Sequence, residues 1–167
     1  GNIEAAFASA PVKISEQFFL HKGLGMALEG RGVVSEYDPR KDILTIWLGT
    51  QMPHMAQRMF VSLLGRNESN TNVVTPDIGG GFGPKLVFYP EDIVIASASI
   101  LLKRPVKWIE DRREHFTTST QERDQIWDME LATNHEGKIL GVRGTMVHDH
   151  GAYTARGVNV AQNAGSI

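Results

Sequence analysis

Alternating apolar and polar positions predict β-strands along much of the chain. Val12 to Phe19 begins with a period of two residues, which is typical of a strand. Gly32 to Tyr37 and Asp42 to Leu48 flank Asp38 to Lys41, a segment whose Asp-Pro start favours a turn, so they predict a β-hairpin. A second hairpin is predicted from Trp127 to Thr133 and from Ile139 to His148. Two single strands are predicted at Asn72 to Thr75 and at Val106 to Asp111.

Helical periodicity predicts two α-helices. The first runs from Pro53 to Leu64 and ends at Gly65, a residue that favours the left-handed conformation after a helix. Its apolar stripe, which we interpret as facing the core, consists of Met55, Met59 and Leu63, with Met52, Ala56 and Phe60 alongside. The second helix starts near Pro90 and is blocked by Pro105. Its body is apolar nearly all round, which predicts a buried helix lying across a sheet.

The order of these elements predicts the fold class. Hairpins outnumber crossover connections, which favours an α+β domain, a two-layer sandwich in which two helices pack on one face of a mixed β-sheet. We expect this domain to extend from residue 12 to residue 167. The Ala- and Ser-rich residues 1–11 are expected to be a loosely held lead-in segment.

Composition excludes several classes of function. The chain has 167 residues, a net charge of −2 and no cysteine. Without cysteine it forms no disulfide, thiolate metal site or iron–sulfur site of its own. It has no basic run that would suggest nucleic acid binding, and no apolar run of the ~20 residues that a membrane helix requires. Because it starts at Gly1 and stops in mid-pattern, we expect a piece of a longer protein, with processing as the rival explanation.

The most unusual stretch is the glycine-rich segment from Asn72 to Lys85, with Gly79, Gly80, Gly81 and Gly83 around Phe82. It is not a P-loop, because Leu86 follows the lysine, and it lacks the spacing of a dinucleotide fingerprint. An ordinary nucleotide is therefore the weakest of the possible ligands. The glycines alone leave two interpretations open: a tight turn, or a loop whose backbone N–H groups hold an anion or a cofactor.

Three other groups of residues are candidate sites. His148 and His150 share a face of an extended strand, but a turn at Asp149 and Gly151 is favoured over a metal site. The charged run from Glu110 to Glu114 is interpreted as a solvated ion-pair network, because its arginines oppose the raised carboxylate pKa that acid–base catalysis needs. Gln51 by itself is an ordinary loop residue.

Four motifs occur along the chain in an order that is typical of one protein family. The motifs are Trp47 to His54, Pro76 to Lys85, Arg104 to Glu114 and Asp149 to Tyr153. From about Glu29 onward the chain resembles the molybdopterin-binding large subunit of the molybdenum hydroxylases, the family of xanthine dehydrogenase, aldehyde oxidase and carbon monoxide dehydrogenase. Within this family, the chain resembles the bacterial carbon monoxide dehydrogenase-like large subunits most.

The resemblance implies roles at matching positions. Gln51 matches the glutamine whose side chain approaches an oxo ligand of molybdenum. Gly81, Phe82 and Gly83 match the loop whose backbone amides meet the pterin, and with Gly80 and Gln51 they are the predicted cofactor-binding residues. The pterin supplies the sulfur ligands, so no protein ligand to the metal is predicted. Molybdopterin is expected in the full-length enzyme and not in the isolated chain.

The resemblance also sets limits. Purine-oxidising members carry a glutamate where this chain has Leu86, which argues against xanthine as substrate. The catalytic glutamate of the family lies further toward the C-terminus, so no catalytic residue is predicted here and the isolated chain is expected to be inactive. Implied partners are the rest of the large subunit, iron–sulfur and flavin subunits or domains, and a small-molecule substrate, in the cytoplasm. The alternative is a non-catalytic cofactor-binding or subunit-interaction module.

Overall fold

A computed structural model describes residues 1–153, and the predicted domain's last segment, 154–167, lies outside the described residues. The helices are α1 (Ile3–Ser9), α2 (Pro53–Leu64), α3 (Pro90–Leu102) and α4 (Arg112–Thr118). The strands are β1 (Val12–Leu20), β2 (Gly32–Asp38), β3 (Ile43–Leu48), β4 (Thr71–Val74), β5 (Val106–Ile109), β6 (Gln125–Thr133) and β7 (Ile139–His148). Short 3₁₀ turns lie at Glu68–Asn70 and Pro84–Leu86.

The strands form two sheets, and the chain divides into two compact units. One unit comprises Gly1–Gly23 and Glu122–Ile167, and the other comprises Leu24–Gln121. The α+β class is confirmed. The sequence patterns did not separate the two sheets: the first unit holds an antiparallel sheet in the order β1-β6-β7, and the second holds a mixed sheet in the order β4-β3-β2-β5.

In the second unit, α2 and α3 pack on the mixed sheet. Strand β3 alternates as predicted, because Leu44, Ile46 and Leu48 are buried while Trp47 is exposed. These side chains form one core with Ala56 and Phe60 of α2 and with residues of β2 and α3. The mixed sheet is antiparallel except for the parallel pair β3 and β4. The second unit is thus the predicted arrangement of a mixed sheet with two helices.

The predicted burial of both helices needs correction. Helix α2 starts and ends where expected, and Gly65 takes the left-handed conformation with φ of 63°. The stripe of Met55, Met59 and Leu63, however, is exposed, and the core-facing side is the one that carries Ala56 and Phe60. Both stripes have helical spacing, so periodicity alone did not decide which of them faces the sheet. The same holds for α3, whose Val94, Leu101 and Leu102 are exposed.

In the first unit, the lead-in residues form helix α1, which the sequence patterns did not predict. Asn2 caps this helix by accepting a hydrogen bond from the Ala5 N–H. Phe7 is buried against Ala10 and Ala132. The sheet beside it holds the second predicted hairpin, β6 and β7, with β1 paired antiparallel to β6. No helix within residues 1–153 has the length and apolar character needed to cross a membrane.

Candidate cofactor site

The side chain of Gln51 lies directly against the glycine loop, which we define as Gly79 to Gly83. The Gly83 N–H donates a hydrogen bond to Gln51 Oε1 over 3.2 Å. A Cβ atom at Gly81 would lie 2.4 Å from Gln51 Cδ, so only glycine leaves room for this side chain. Two predicted cofactor-binding elements that are far apart in sequence are thereby brought together in the second unit.

The hydrogen bond from Gly83 also fixes the orientation of the Gln51 amide. Because a backbone N–H needs an acceptor, Oε1 faces the loop and the Nε2 amino group points elsewhere. Within residues 1–153, Gln51 Nε2 has no hydrogen-bond partner. It is therefore available as a donor to an oxygen atom of a ligand.

The middle of the glycine loop presents unpaired backbone donors. In the part of the chain that the structure describes, the N–H groups of Gly80, Gly81 and Phe82 have no hydrogen-bond partner. Gly80 and Gly83 have φ angles of 96° and 100°, and Phe82 is itself left-handed at 53°. Successive N–H groups in such a conformation form a concave site for oxygen atoms. This arrangement favours the cofactor interpretation over a turn whose donors are satisfied within the protein.

Phe82 is largely exposed, with 68% of the residue's surface accessible. Its backbone is held from the other side by Gly25, where an added Cβ would lie 2.5 Å from the Phe82 carbonyl oxygen. An exposed aromatic ring on a backbone that its neighbours constrain is a surface feature suited to contact with another molecule.

Glu29 joins the start of the glycine loop to the residue that follows its end. Its Oε2 accepts a hydrogen bond from the Gly79 N–H at 2.7 Å and another from Lys85 Nζ. The hydrogen bond from Lys85 and then that from Gly79 lower the pKa of the Glu29 carboxyl below its ordinary value. The Lys85 carbonyl in turn accepts from the Gln51 N–H at 2.8 Å. Nothing in the sequence singled out Glu29, which lies in an irregular loop.

The interpretation of the run from Glu110 to Glu114 as solvated is wrong for its first residue. The Glu110 side chain is completely buried and accepts from Arg31 at 2.7 Å and 2.9 Å. Its second oxygen lies 2.7 Å from Nδ1 of buried His115. Burial favours the neutral form of Glu110, but the hydrogen bonds from Arg31 outweigh it and lower the pKa of the carboxyl.

The other residues of that run cap helix α4 and bind carbonyl groups of the loop before β2. Asp111 caps α4 by accepting from the Glu114 N–H at 2.7 Å, and Glu114 accepts from the Asp111 N–H at 2.9 Å. Helix α4 was not predicted, although this Asp-x-x-Glu capping box is visible in the sequence and is the signal that could have indicated it. Arg112 donates to the carbonyls of Ala27 and Leu28, at 2.9 Å and 2.6 Å.

The two histidines at the end of β7 lie outside the glycine loop's unit. The rings of His148 and His150 are 4.1 Å apart. The intervening Asp149 accepts from the Gly151 N–H at 2.7 Å, which is a local turn contact. Among residues 1–153, no three His, Cys, Asp or Glu side chains converge as a metal-binding group.

The second unit thus presents a loop of unpaired amides beside a fixed glutamine amide, a site suited to a ligand rich in oxygen atoms. Comparison with known proteins identifies the class. The chain belongs to the molybdopterin cofactor-binding domain family, whose profile matches residues 1–167. The resemblance to the molybdenum hydroxylase large subunits is therefore confirmed.

Individual relatives agree with this assignment. The chain is 44% identical to the carbon monoxide dehydrogenase large chain of Hydrogenophaga pseudoflava, over 91% of this chain and 19% of the relative. It is 38% identical to the nicotine 6-hydroxylase large subunit of Paenarthrobacter nicotinovorans, over 92% and 19%. The crystal structure of quinoline 2-oxidoreductase from Pseudomonas putida 86 superposes with a TM-score of 0.85 at 34% identity, over 91% of this chain and 19% of that one. The chain spans about a fifth of the length of the relatives it matches.

Proposed function

We propose that this chain is part of the large subunit of a molybdenum hydroxylase, where it supplies Gln51 and the glycine loop to the molybdopterin site. The observation that carries the proposal is the contact of Gln51 with Gly81 and Gly83 beside the unpaired N–H groups of Gly80 to Phe82. This donor set fits the cofactor, because a pterin and the oxygen ligands of molybdenum are hydrogen-bond acceptors. When bound, the cofactor supplies the redox chemistry.

The residues of the chain have distinct tasks in this proposal. The N–H groups of Gly80, Gly81 and Phe82 donate hydrogen bonds to oxygen atoms of the cofactor, and Gln51 Nε2 is a further donor. The Gly83 N–H keeps the Gln51 amide from rotating. None of these groups gains or loses a proton, so their contribution is position and polarity.

The proposal places catalysis in the complete protein. Because the chain spans about a fifth of the length of its relatives, and because the resemblance implies that the family's catalytic glutamate lies further toward the C-terminus, the proposal is that the 167-residue chain alone is inactive. The partners proposed are the rest of the large subunit and the iron–sulfur and flavin subunits or domains, in the cytoplasm. Leu86, which has no hydrogen-bonding side chain, favours a substrate other than a purine.

The test is metal and pterin analysis of the full-length protein, followed by turnover assays with carbon monoxide, aldehydes and nitrogen heterocycles. We expect about one molybdenum per large subunit and turnover of one substrate class, and neither in the isolated chain. A full-length protein with cofactor but no turnover of any class indicates the non-catalytic alternative. A protein without molybdenum contradicts the proposal.

A further inference from the structure

We propose that Glu29 and Lys85 form a positioning pair that fixes the glycine loop in the shape that receives the cofactor and Gln51. The inference rests on the proposed function, since it concerns the same site. Neither side chain has to touch the cofactor. The pair acts through the backbone on both sides of the loop.

Glu29 is hydrogen-bonded to Gly79 at two points. Its carboxylate accepts from the Gly79 N–H, and its own N–H donates to the Gly79 carbonyl over 3.4 Å. Gly79 is therefore held at two points by one residue. A Cβ at Gly79 would lie 2.7 Å from Glu29 Cβ, which is too close for two carbon atoms. Only glycine at position 79 therefore allows the two backbones to approach this closely.

Lys85, the other member of the pair, is buried. Its side chain is 1% exposed, and its one ion-pair partner in the described chain is Glu29, whose side chain remains 49% exposed. A buried ammonium group without a partner is costly, so Lys85 requires the Glu29 carboxylate. Surface ion pairs contribute little, but here one member is buried and both are tied to the backbone of the site.

Lys85 also connects the loop to Gln51. The Lys85 carbonyl accepts from the Gln51 N–H at 2.8 Å and from the Thr50 hydroxyl at 3.2 Å. The Gly83 carbonyl accepts from the Leu86 N–H at 2.8 Å, which closes the turn around Lys85. Glu29, Lys85 and Gln51 thus form one continuous chain of hydrogen bonds around the free N–H groups of the loop.

The experiment compares two variants of the full-length protein, Glu29→Gln and Lys85→Met. Glu29→Gln keeps the size of the side chain and its oxygen acceptor but removes the charge. Hydrogen exchange of the loop amides is the main readout, with molybdenum content and the electron paramagnetic resonance signal of Mo(V) as the others. Glu36→Gln is the matched control, because Glu36 is exposed on β2 and makes no side-chain hydrogen bond within the described residues.

We expect each variant to speed exchange about tenfold at the N–H groups of Gly79 and Gly83, the two loop amides that are hydrogen-bonded within the chain, because the charge-assisted hydrogen bond of the pair is weakened. Exchange in the core strand β3 should not change, molybdenum content should fall and the Mo(V) signal should shift. Loop exchange in the double variant should be no faster than in the single variants, because each single change already breaks the pair.

Unchanged loop exchange in both variants overturns the inference. So does an equal loss of protection in β3, because a positioning pair alters the loop and leaves the core intact. Two variants are used so that poor folding of one leaves the other to decide. A wild-type protein without molybdenum would contradict the proposed function instead, while the exchange data would still decide the role of the pair.

Discussion

The Gly83 N–H donates to Gln51 Oε1 over 3.2 Å, although the two residues are 32 positions apart in the sequence. This single contact ties the turn between β3 and α2 to the glycine loop between β4 and α3. It also decides which end of the Gln51 amide is free. The site is therefore built from two segments that the mixed sheet holds side by side, and its properties can be tested at either segment.

Replacing Gln51 with glutamate separates the two functions of its amide. Gln51→Glu keeps an oxygen acceptor for Gly83 but removes the Nε2 donor. Because the side chain is exposed, we expect the free energy of unfolding to change by less than about 0.5 kcal/mol. Molybdenum-dependent turnover should fall at least about tenfold, the loss expected for one ordinary hydrogen bond. Full turnover in this variant would show that the donor has no role.

Adding a methyl group at Gly81 tests the packing of the loop on Gln51. The new Cβ would lie 2.4 Å from Cδ of Gln51, a flexible exposed side chain that can move aside. We expect Gly81→Ala to displace Gln51 and lower cofactor content, with a loss of stability under about 1 kcal/mol. Gly49→Ala is the matched control, since its nearest atoms are 3.9 Å and 4.0 Å away. Equal cofactor content in the two variants would contradict this account of the loop.

Removing the Glu110 carboxylate tests the buried ion pair between Glu110 and Arg31. Glu110→Ala leaves Arg31 buried without its main partner, and breaking such a pair typically costs about 3–5 kcal/mol. We expect this loss in the free energy of unfolding by urea denaturation. Glu68→Ala, at an exposed position, should cost less than about 0.5 kcal/mol. A loss for Glu110→Ala as small as that of the control would show that the pair does not stabilise the fold.

Asp92 provides a pH-dependent test of the second unit. Burial raises the pKa of its carboxyl to about 6 from an ordinary value of 3.8, although the hydrogen bond from the Tyr89 N–H and the charge of Arg31 lower it; the charge of Glu91 adds to the rise. Between these values the folded state binds more protons than the unfolded state, so the contribution of Asp92 to stability falls as pH rises. Asp92→Asn keeps the acceptor without the charge.

We therefore expect Asp92→Asn to gain about 1–3 kcal/mol over the wild type as the pH increases from 4 to 7. The measurement is the free energy of unfolding of both proteins across that range, with Glu36→Gln as the control for a general charge effect. A difference between the Asp92→Asn variant and the wild type that is constant with pH would contradict the raised pKa.

Much of the fold could be predicted from local patterns. Helix α2 has the predicted bounds because Pro53 and Gly65 mark its ends, and the hairpin of β2 and β3 follows from its Asp-Pro turn. The exposed stripe of Met55, Met59 and Leu63 was assigned to the core, since helical spacing identifies stripes but not which one meets the sheet. The antiparallel sheet was not separated from the mixed one, because period-two alternation carries no information about partners.

The site was predicted only in part. The resemblance singled out Gln51 and the glycine loop, and the structure brings them into contact. Their role toward the cofactor stays a prediction. Burial of Glu110 was missed because its partner Arg31 is 79 positions away, and a sequence neighbourhood rich in charge suggests solvent. The pairing of Glu29 with Lys85 depends on a long-range contact of the same kind.

The most direct test of the central claim is a structure of the full-length protein with its cofactor bound. Our account expects the cofactor to lie within hydrogen-bond distance of the N–H groups of Gly80 to Phe82 and of Gln51 Nε2, with the Gly83 to Gln51 hydrogen bond intact. A cofactor bound elsewhere, with the glycine loop packed against protein or open to solvent, would contradict it.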